Sequence, residues 1–207
     1  MTPWLIFGAG GTGVGFLTLE RALADGRPVF AVVRKTEAAE RLAKLGVTVF
    51  TGDACDEDVV AQACIAAGPT ATVISSMGGA HDYLAHRTLI DAAEKSGITR
   101  MILVTSLGCG DSWRWLSPRA RAAFGQPVRE KSLAESWLQT STLDHAILRP
   151  GGLLNGPATG QAQRVQNAEV HGFVMRADVA AHIAELANAP MLDQQVYSLV
   201  EPDLKPA

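Results

Sequence analysis

W-L-I-F-G-A-G-G-T-G, residues 4–13, is the stretch that decides the fold of this chain. A short apolar run leads directly into the pattern G-x-G-x-x-G, formed by Gly8, Gly10 and Gly13, and a helical segment follows. In a strand–turn–helix unit the first glycine makes a tight turn, the second lets the backbone approach a pyrophosphate, and the third lets helix and strand pack closely. The free N–H groups that begin the helix then face the phosphates. The stretch predicts a dinucleotide-binding turn; the alternative is a glycine-rich turn without a ligand.

Short apolar runs alternate with longer amphipathic segments through most of the chain. The runs are continuous and rich in Val and Ile, which is typical of parallel strands buried on both faces. Alternation repeated six times predicts an α/β fold: a Rossmann-like doubly wound parallel sheet in a single domain, residues 1–207. The predicted strands are Trp4–Phe7, Val29–Val33, Val47–Phe50, Ala71–Ser75, Met101–Thr105, His145–Leu148 and a last one near Gln195–Val200; the predicted helices are Thr12–Ala24, Glu37–Leu45, Asp56–Ala67, Tyr83–Ser96, Arg129–Thr140 and Asp178–Asn188.

Two links between these elements are long. One joins Ser106 to Arg129, and the other follows Arg149. Both come after strands, so we expect them to form small loops on the substrate side, at the carboxyl edge of the sheet where doubly wound folds bind ligands.

Composition excludes several classes of partner. Eighteen Lys and Arg stand against 21 Asp and Glu, a formal net charge of -3, which favours neither nucleic acid nor an anionic membrane as a partner. The three cysteines form no C-x-x-C pair and suggest no metal site, and such a sparse set fits a reducing cytosol. No apolar run approaches the ~20 residues that span a bilayer. We expect a cytoplasmic protein, monomeric or homodimeric, that acts on a small molecule.

The end of the second strand indicates which dinucleotide is bound. In NAD sites an acidic residue about 20 positions beyond the glycine motif accepts hydrogen bonds from the ribose 2′-hydroxyl. Here Arg34 holds that place, with Lys35 beside it. A guanidinium cannot accept those bonds but can bind a 2′-phosphate bidentately, so the sequence favours NADP(H). The alternative is that Arg34 is an ordinary surface cation.

The third and fourth strands end in small and acidic residues. Asp53 can accept a hydrogen bond from the adenine amino group, whereas Asp56 is placed to cap the next helix; capping is also common for Asp53 on residue type alone. Ser75 and Ser76 would let a ribose or nicotinamide pass close to the backbone. The alternative there is a flexible turn.

Further motifs complete a resemblance that spans nearly the whole chain. They are Thr105-Ser106, Lys131-x-x-x-Glu135, Leu148–Gly152 and Arg176–Ala180. With the glycine motif, Arg34, Gly52-Asp53 and Ser75-Ser76, they make the chain resemble the atypical short-chain dehydrogenases/reductases, in particular the NAD(P)-binding, NmrA-like group that includes biliverdin and flavin reductases.

The resemblance implies NADP(H) lying across the glycine loop and Arg34, with Asp53 near the adenine and Pro150-Gly151 beside the nicotinamide. Motifs and resemblance together predict the cofactor contacts Gly8, Gly10, Gly11, Thr12, Gly13, Val14, Arg34, Lys35, Asp53, Ala54, Ser75, Ser76, Met77, Thr105, Lys131, Pro150, Gly151 and Leu153.

One departure from the family concerns the proton donor. Short-chain dehydrogenases typically carry Tyr-x-x-x-Lys, in which the tyrosine donates a proton. Lys131 fits the lysine, but Pro127 stands four residues before it, and the two tyrosines, Tyr83 and Tyr197, lie elsewhere. The usual serine–tyrosine–lysine mechanism is therefore not expected.

The remaining candidates for catalysis are Ser106 and Lys131. Ser106 is placed to hydrogen-bond an acceptor or, alternatively, its own turn backbone. Lys131 is placed to bind the nicotinamide ribose or supply a positive field; the alternative is a solvated helical lysine. Trp113 and Trp115 are candidates for a stacking wall against a planar substrate, unless they only pack their loop or form a dimer contact.

These features favour an NADPH-dependent reductase of a small planar or conjugated acceptor such as a flavin, quinone or tetrapyrrole. The nicotinamide supplies the hydride, and such acceptors can take their proton from solvent or a nearby group. The missing tyrosine also raises a second hypothesis, a non-catalytic NADP(H) sensor that regulates a partner. A sugar-nucleotide epimerase or dehydratase is a weaker alternative, because those enzymes typically keep the tyrosine and carry a larger C-terminal domain.

Overall fold

The computed structural model, which describes residues 1–206, contains one eight-stranded sheet with helices on both faces. Its strands are β1 (Trp4–Phe7), β2 (Val29–Val33), β3 (Thr48–Thr51), β4 (Thr72–Ser75), β5 (Arg100–Val104), β6 (Asp144–Pro150), β7 (Gly152–Leu154), β8 (Gln163–Val165), β9 (Phe173–Met175) and β10 (Val196–Val200). Its α-helices are α1 (Val14–Ala24), α2 (Thr36–Lys44), α3 (Glu57–Ala67), α4 (Asp82–Lys95), α5 (Pro118–Gln139) and α6 (Arg176–Asn188), and a 3-10 helix spans Gly110–Trp115.

The order of strands in the sheet creates the place for a ligand. The order is β3-β2-β1-β4-β5-β6-β10-β8, and all neighbours are parallel except the pair β10–β8. The chain therefore winds outward in one direction from β1 to β3 and in the other from β4 onward. The reversal lies between β1 and β4, and ligands of doubly wound folds bind at this switch point.

Burial on both faces explains why the strands are continuous apolar runs. In β1 the side chains of Trp4 and Ile6 enter one core with α1, α2 and α6, while Leu5 and Phe7 enter the other with α3, α4 and α5. All four side chains of β1 are fully buried. Successive strand residues point to opposite faces, so a strand between two helical layers needs an apolar residue at every position.

The predicted fold class is confirmed, and the predicted strands and most predicted helices agree with the structure within two residues at their ends. The link between Ser106 and Arg129 differs from the prediction, because it is not a long loop. It contains the 3-10 helix and the first half of α5, a helix of 22 residues that continues through Pro127. The Ser117 hydroxyl caps this helix by accepting from the Ala120 N–H, and Pro118 occupies its first turn, where proline costs no hydrogen bond.

The segment after β6 also contains structure that the sequence does not signal. Strands β7 and β9 form a small parallel pair, and β8 adds an antiparallel edge to the main sheet. Asp178 in the first turn of α6 stabilises the loop between β7 and β8, since its carboxylate accepts from the backbone N–H groups of Thr159 and Gly160. Three-residue strands are too short to show a period of two.

Within residues 1–206 none of the helices combines the length and apolarity that crossing a bilayer demands. In the same residues no three metal-ligating side chains converge.

Candidate active site

A groove opens at the carboxyl edge of the sheet, at the switch point between β1 and β4, and encloses about 460 Å³. Its walls are the loop after β1, the ends of β2 and β3, and the segment that joins β4 to α4. Of the predicted cofactor contacts, those that line it are Gly8, Gly10, Gly11, Arg34, Lys35, Asp53, Ala54, Ser76 and Met77.

The glycine loop packs in a different way from the sequence prediction. Gly8 has a φ of +94°, so it makes the tight turn as expected. Gly13, however, has nothing within 4 Å of an added Cβ, so the predicted close packing of helix on strand does not occur there. It occurs at Gly15, where a Cβ would lie 2.6 Å from the Gly8 carbonyl oxygen and 2.8 Å from the Ser76 hydroxyl. The prediction that Gly13 allows the contact is wrong, because the contact lies two residues later, about half a helical turn further along the chain.

The start of α1 fits an anionic ligand. Its N-cap, Gly13, offers no side-chain hydrogen bond, and the first turn contains no acidic residue. The first N–H groups of a helix lack intrahelical partners and carry the positive end of the macrodipole. A pyrophosphate would supply the missing acceptors, so the residues present fit a dinucleotide. Thr12 and Val14, also predicted as contacts, flank this N-cap.

Arg41 on α2 holds the outer side of the glycine loop and was not found from the sequence. One nitrogen of its guanidinium donates to the Gly10 carbonyl at 3.0 Å and to the Gly11 carbonyl at 2.9 Å. The guanidinium also lies 5.1 Å from the ring centre of Phe16. These contacts join residues about 30 positions apart, and no local pattern marks them.

The far end of the groove carries the charges expected for a nucleotide. Arg34 and Lys35 are exposed at the end of β2 and line the groove. Asp53 follows β3, and its carboxylate accepts from the Cys55 N–H at 2.8 Å. This backbone hydrogen bond lowers the pKa of Asp53, and Arg34 and His81 lower it further, so the group is an ionised acceptor at neutral pH. Asp56 caps α3, as expected, by accepting from the N–H groups of its first turn.

The two serines at the end of β4 differ in their surroundings. Ser76 lines the groove, whereas Ser75 is fully buried and its hydroxyl lies 2.8 Å from Nε2 of His86. The Ser75 side chain therefore does not reach the groove directly. Met77 and Gly78 continue the wall toward α4.

Lys131 lies behind this wall. Its ammonium group donates to the Met77 carbonyl at 2.8 Å and to the Asp82 carboxylate at 2.8 Å. The side chain is only 15% exposed. The alternative that Lys131 is a solvated helical lysine is therefore wrong. Asp82 and His86 form part of the same cluster and were missed, because neither belongs to a motif with Lys131.

The end of β5 carries the two other predicted hydroxyls. Thr105 is buried, and its hydroxyl donates to Glu135 at 2.6 Å. The half-buried Ser106 donates to the Leu107 carbonyl at 2.9 Å, which is the turn-satisfying arrangement. A hydroxyl bonded to its own turn can rotate toward a ligand, so a catalytic role for Ser106 stays a prediction.

The two tryptophans of the 3-10 helix do not line the groove. Trp113 is 38% exposed, with the Arg121 guanidinium 5.1 Å from its ring centre. Trp115 stacks with Arg114 and lines a second, polar cavity beside α5. Both indoles are thus packed by arginines of their own region, and substrate stacking stays a prediction.

The remaining predicted contacts lie at the end of β6. Pro150 ends this strand and Gly151 follows it, and Leu153 lies on β7. The Gly151 N–H donates to the Leu199 carbonyl, which ties the segment to β10. None of the three lines the groove. Pro127 lies within α5, one turn before Lys131, at the place of the usual tyrosine.

Comparison with known proteins gives the family of the chain. Residues 8–190 match the family described as NAD(P)H-binding. The chain is 76% identical to a solved structure of ChuY, an anaerobilin reductase from Escherichia coli O157:H7, with a TM-score of 0.98 and 100% of both chains covered.

Two curated relatives match over shorter stretches. Sanguinarine reductase of Eschscholzia californica is 32% identical over 123 residues, 57% of this chain and 44% of that protein. The uncharacterized sugar epimerase YhfK of Bacillus subtilis is 32% identical over 114 residues, 55% of this chain and 50% of that protein. The chain spans about half the length of the curated relatives it matches.

Proposed function

Because the chain belongs to the NAD(P)H-binding family, we propose that it is an NADPH-dependent reductase of a planar, conjugated acceptor of the linear tetrapyrrole class. The observation that carries this proposal is its 76% identity, over both full chains, to an anaerobilin reductase. The relative from Eschscholzia californica, 32% identical over 123 residues, is also named a reductase. The groove at the switch point supplies a cradle of suitable size and charge.

The residues of the chain divide the work of holding the cofactor. When bound, the nicotinamide supplies the hydride. The protein has to bind the cofactor, orient it toward the acceptor and exclude water from the site. We assign the pyrophosphate to the glycine loop and the start of α1, where N–H groups are free. We assign the 2′-phosphate to Arg34 and Lys35, and the adenine amino group to Asp53. Pro150 and Gly151 would flank the nicotinamide.

Two side chains are assigned to the reacting end. Lys131 would bind the nicotinamide ribose with the ammonium proton that Met77 and Asp82 leave unused. Ser106 would turn from the Leu107 carbonyl to hydrogen-bond the acceptor. Because Pro127 occupies the position of the usual tyrosine, four residues before Lys131, the proton that accompanies the hydride comes from solvent or from a polar group of the acceptor pocket.

The activity is tested by following NADPH oxidation with a linear tetrapyrrole, a flavin and a quinone as acceptors. We expect saturable turnover with the tetrapyrrole, and the same assay without protein gives the background. Tight NADPH binding without turnover of any acceptor would contradict the proposal and would favour the NADP(H) sensor.

Cofactor preference is tested at Arg34. Arg34→Ala should weaken NADPH binding by roughly 10- to 100-fold and leave NADH binding unchanged, since a charge-assisted bidentate contact to the 2′-phosphate is lost. Calorimetric titration measures both affinities. Arg119→Ala, which removes an exposed arginine on α5, is the matched control and should change neither. Equal affinities of the wild-type protein for NADPH and NADH would disprove the assignment.

A further inference from the structure

Four side chains form a connected cluster behind the wall of the groove, and we call it the Asp82 cluster. Nε2 of His86 lies 2.8 Å from the Ser75 hydroxyl, and Nδ1 of His86 lies 2.9 Å from the Asp82 carboxylate. The other oxygen of that carboxylate accepts from Lys131 at 2.8 Å. Asp82 and His86 side chains are 2% and 0% exposed. Burying charged side chains costs free energy unless they are paired, so the presence of this cluster in the core calls for an explanation.

The hydrogen bonds within the cluster connect its members in one chain from Met77 to Lys131. The Ser75 hydroxyl accepts from the Met77 N–H at 3.4 Å and is therefore free to donate to Nε2 of His86. Nδ1 of His86 faces two acceptors, the Asp82 carbonyl at 2.8 Å and the Asp82 carboxylate, so it carries the ring proton. Burial raises the pKa of Asp82, but His86 and Lys131 lower it by more, and the net shift is downward. The cluster thus holds an ionised aspartate between the His86 ring and the Lys131 ammonium group.

The order serine–histidine–aspartate resembles a hydrolase triad, but the geometry excludes that chemistry. A nucleophilic serine must be open to its substrate. Ser75 is fully buried at the end of β4, and its hydroxyl faces His86. Any role of the cluster must therefore be exerted through the groups to which it is hydrogen-bonded.

The neighbours are Lys131 and the peptide of Met77. Met77 is held on both sides, because its N–H donates to Ser75 and its carbonyl accepts from Lys131 at 2.8 Å. An added Cβ on Gly78, in the same wall, would lie 4.0 Å from the Lys131 nitrogen, so the ammonium group is directly behind the groove. Two of its three protons are bound to protein, which leaves one direction for a ligand.

We propose that Asp82 and His86 are positioning residues, which hold Lys131 and the Met77–Gly78 wall in place for the nicotinamide ribose. This assignment rests on the proposed function and gives the buried Asp82–His86 contact a role in cofactor binding. Asp82 pairs with the Lys131 ammonium group, and His86 bonds to the Asp82 carbonyl and to Ser75, whose hydroxyl accepts from the Met77 N–H of the wall. All four groups act as one unit.

The test compares NADPH binding to Asp82→Asn, Lys131→Met and the double variant. Each single substitution should raise the Kd for NADPH about tenfold, and the double variant should bind within twofold of Lys131→Met, because Asp82 acts through the lysine. Asp91→Asn is the matched control, since Asp91 lies on the same helix away from the groove, where it accepts from Trp137. In steady-state assays Asp82→Asn should raise the KM for NADPH and leave kcat within twofold, as expected for lost ground-state positioning.

His86 is tested in the same way against a second buried histidine. His86→Phe should weaken NADPH binding about fivefold. His145→Phe should not, because His145 is 3% exposed at the start of β6, the opposite end of the strands.

Three results would overturn the inference: wild-type affinity in Asp82→Asn, effects of Asp82→Asn and Lys131→Met that multiply in the double variant, or equal effects of the two histidine variants. If Asp82→Asn does not fold, the double variant, which removes both charges, still has to match Lys131→Met. A wild-type protein that does not bind NADPH would instead disprove the proposed function.

Discussion

Gly15→Ala is expected to destabilise the protein by about 3 kcal/mol and to abolish NADPH binding. The new Cβ would lie 2.6 Å from the Gly8 carbonyl oxygen and 2.7 Å from the Gly8 carbonyl carbon. Neither atom can retreat, because Gly8 continues the central strand β1, and the Ser76 N–H donates to the Phe7 carbonyl beside it. Relief of the clash therefore requires α1 to move away from the sheet. Urea denaturation, monitored by tryptophan fluorescence, measures the loss in the free energy of unfolding.

Gly13→Ala is the control for this prediction. An added Cβ at Gly13 meets nothing within 4 Å, and its φ of -84° suits any residue. Alanine is a poorer N-cap than glycine, so a loss of about 1 kcal/mol or less is expected. Equal destabilisation by the two substitutions would show that the close contact at Gly15 does not determine the packing of α1.

Arg149→Met is expected to cost about 3–5 kcal/mol of the free energy of unfolding. The Arg149 guanidinium donates to both oxygens of Glu135, at 3.0 and 2.7 Å, and the side chains are 7% and 2% exposed. Burial lowers the pKa of Arg149, but the bonds to Glu135 and Asp111 raise it by more, so the charge is retained. Without the arginine, Glu135 remains buried with the Thr105 hydroxyl as its remaining partner. The free energy of unfolding in urea measures the loss.

Two further variants separate the broken ion pair from the loss of packing. Adding Glu135→Leu to Arg149→Met should recover most of the stability, because no buried charge is left without a partner. Arg164→Met breaks an ion pair with Glu185, whose side chain is 61% exposed, and should cost about 1 kcal/mol or less. A double variant as unstable as Arg149→Met alone would contradict the electrostatic explanation.

The sequence was sufficient for the parallel strands of the main sheet and insufficient for its edge strand β8 and for α5. Continuous apolar runs separated by amphipathic segments report burial on two faces, which is a local property. The stretch before Arg129 contains Pro118, Pro127 and two tryptophans, a composition typical of loops. The helix forms nonetheless, because Ser117 caps it and Arg121 donates to the carbonyls of Trp113 and Arg114. The exposed Pro127 removes one hydrogen bond without ending the helix.

The candidate site divides in the same way. The glycine motif, Arg34 and Asp53 were found from the sequence because each follows a strand end at a fixed spacing. Arg41 was missed because its contacts join α2 to a loop about 30 residues away. The tryptophans, predicted as a stacking wall, lie outside the groove.

By itself the sequence determined the strand–helix alternation, the turn at Gly8 and the presence of Arg34 and Lys35 at the end of β2, since each depends on residues within one unit of chain. The tertiary structure alone decided that Gly15 makes the close contact, that Lys131 is buried against Asp82, and that Arg149 and Glu135 share a buried ion pair. The physical reason is that close approach, burial and ion pairing depend on distances between segments far apart in the chain, and spacing along one segment carries no record of them.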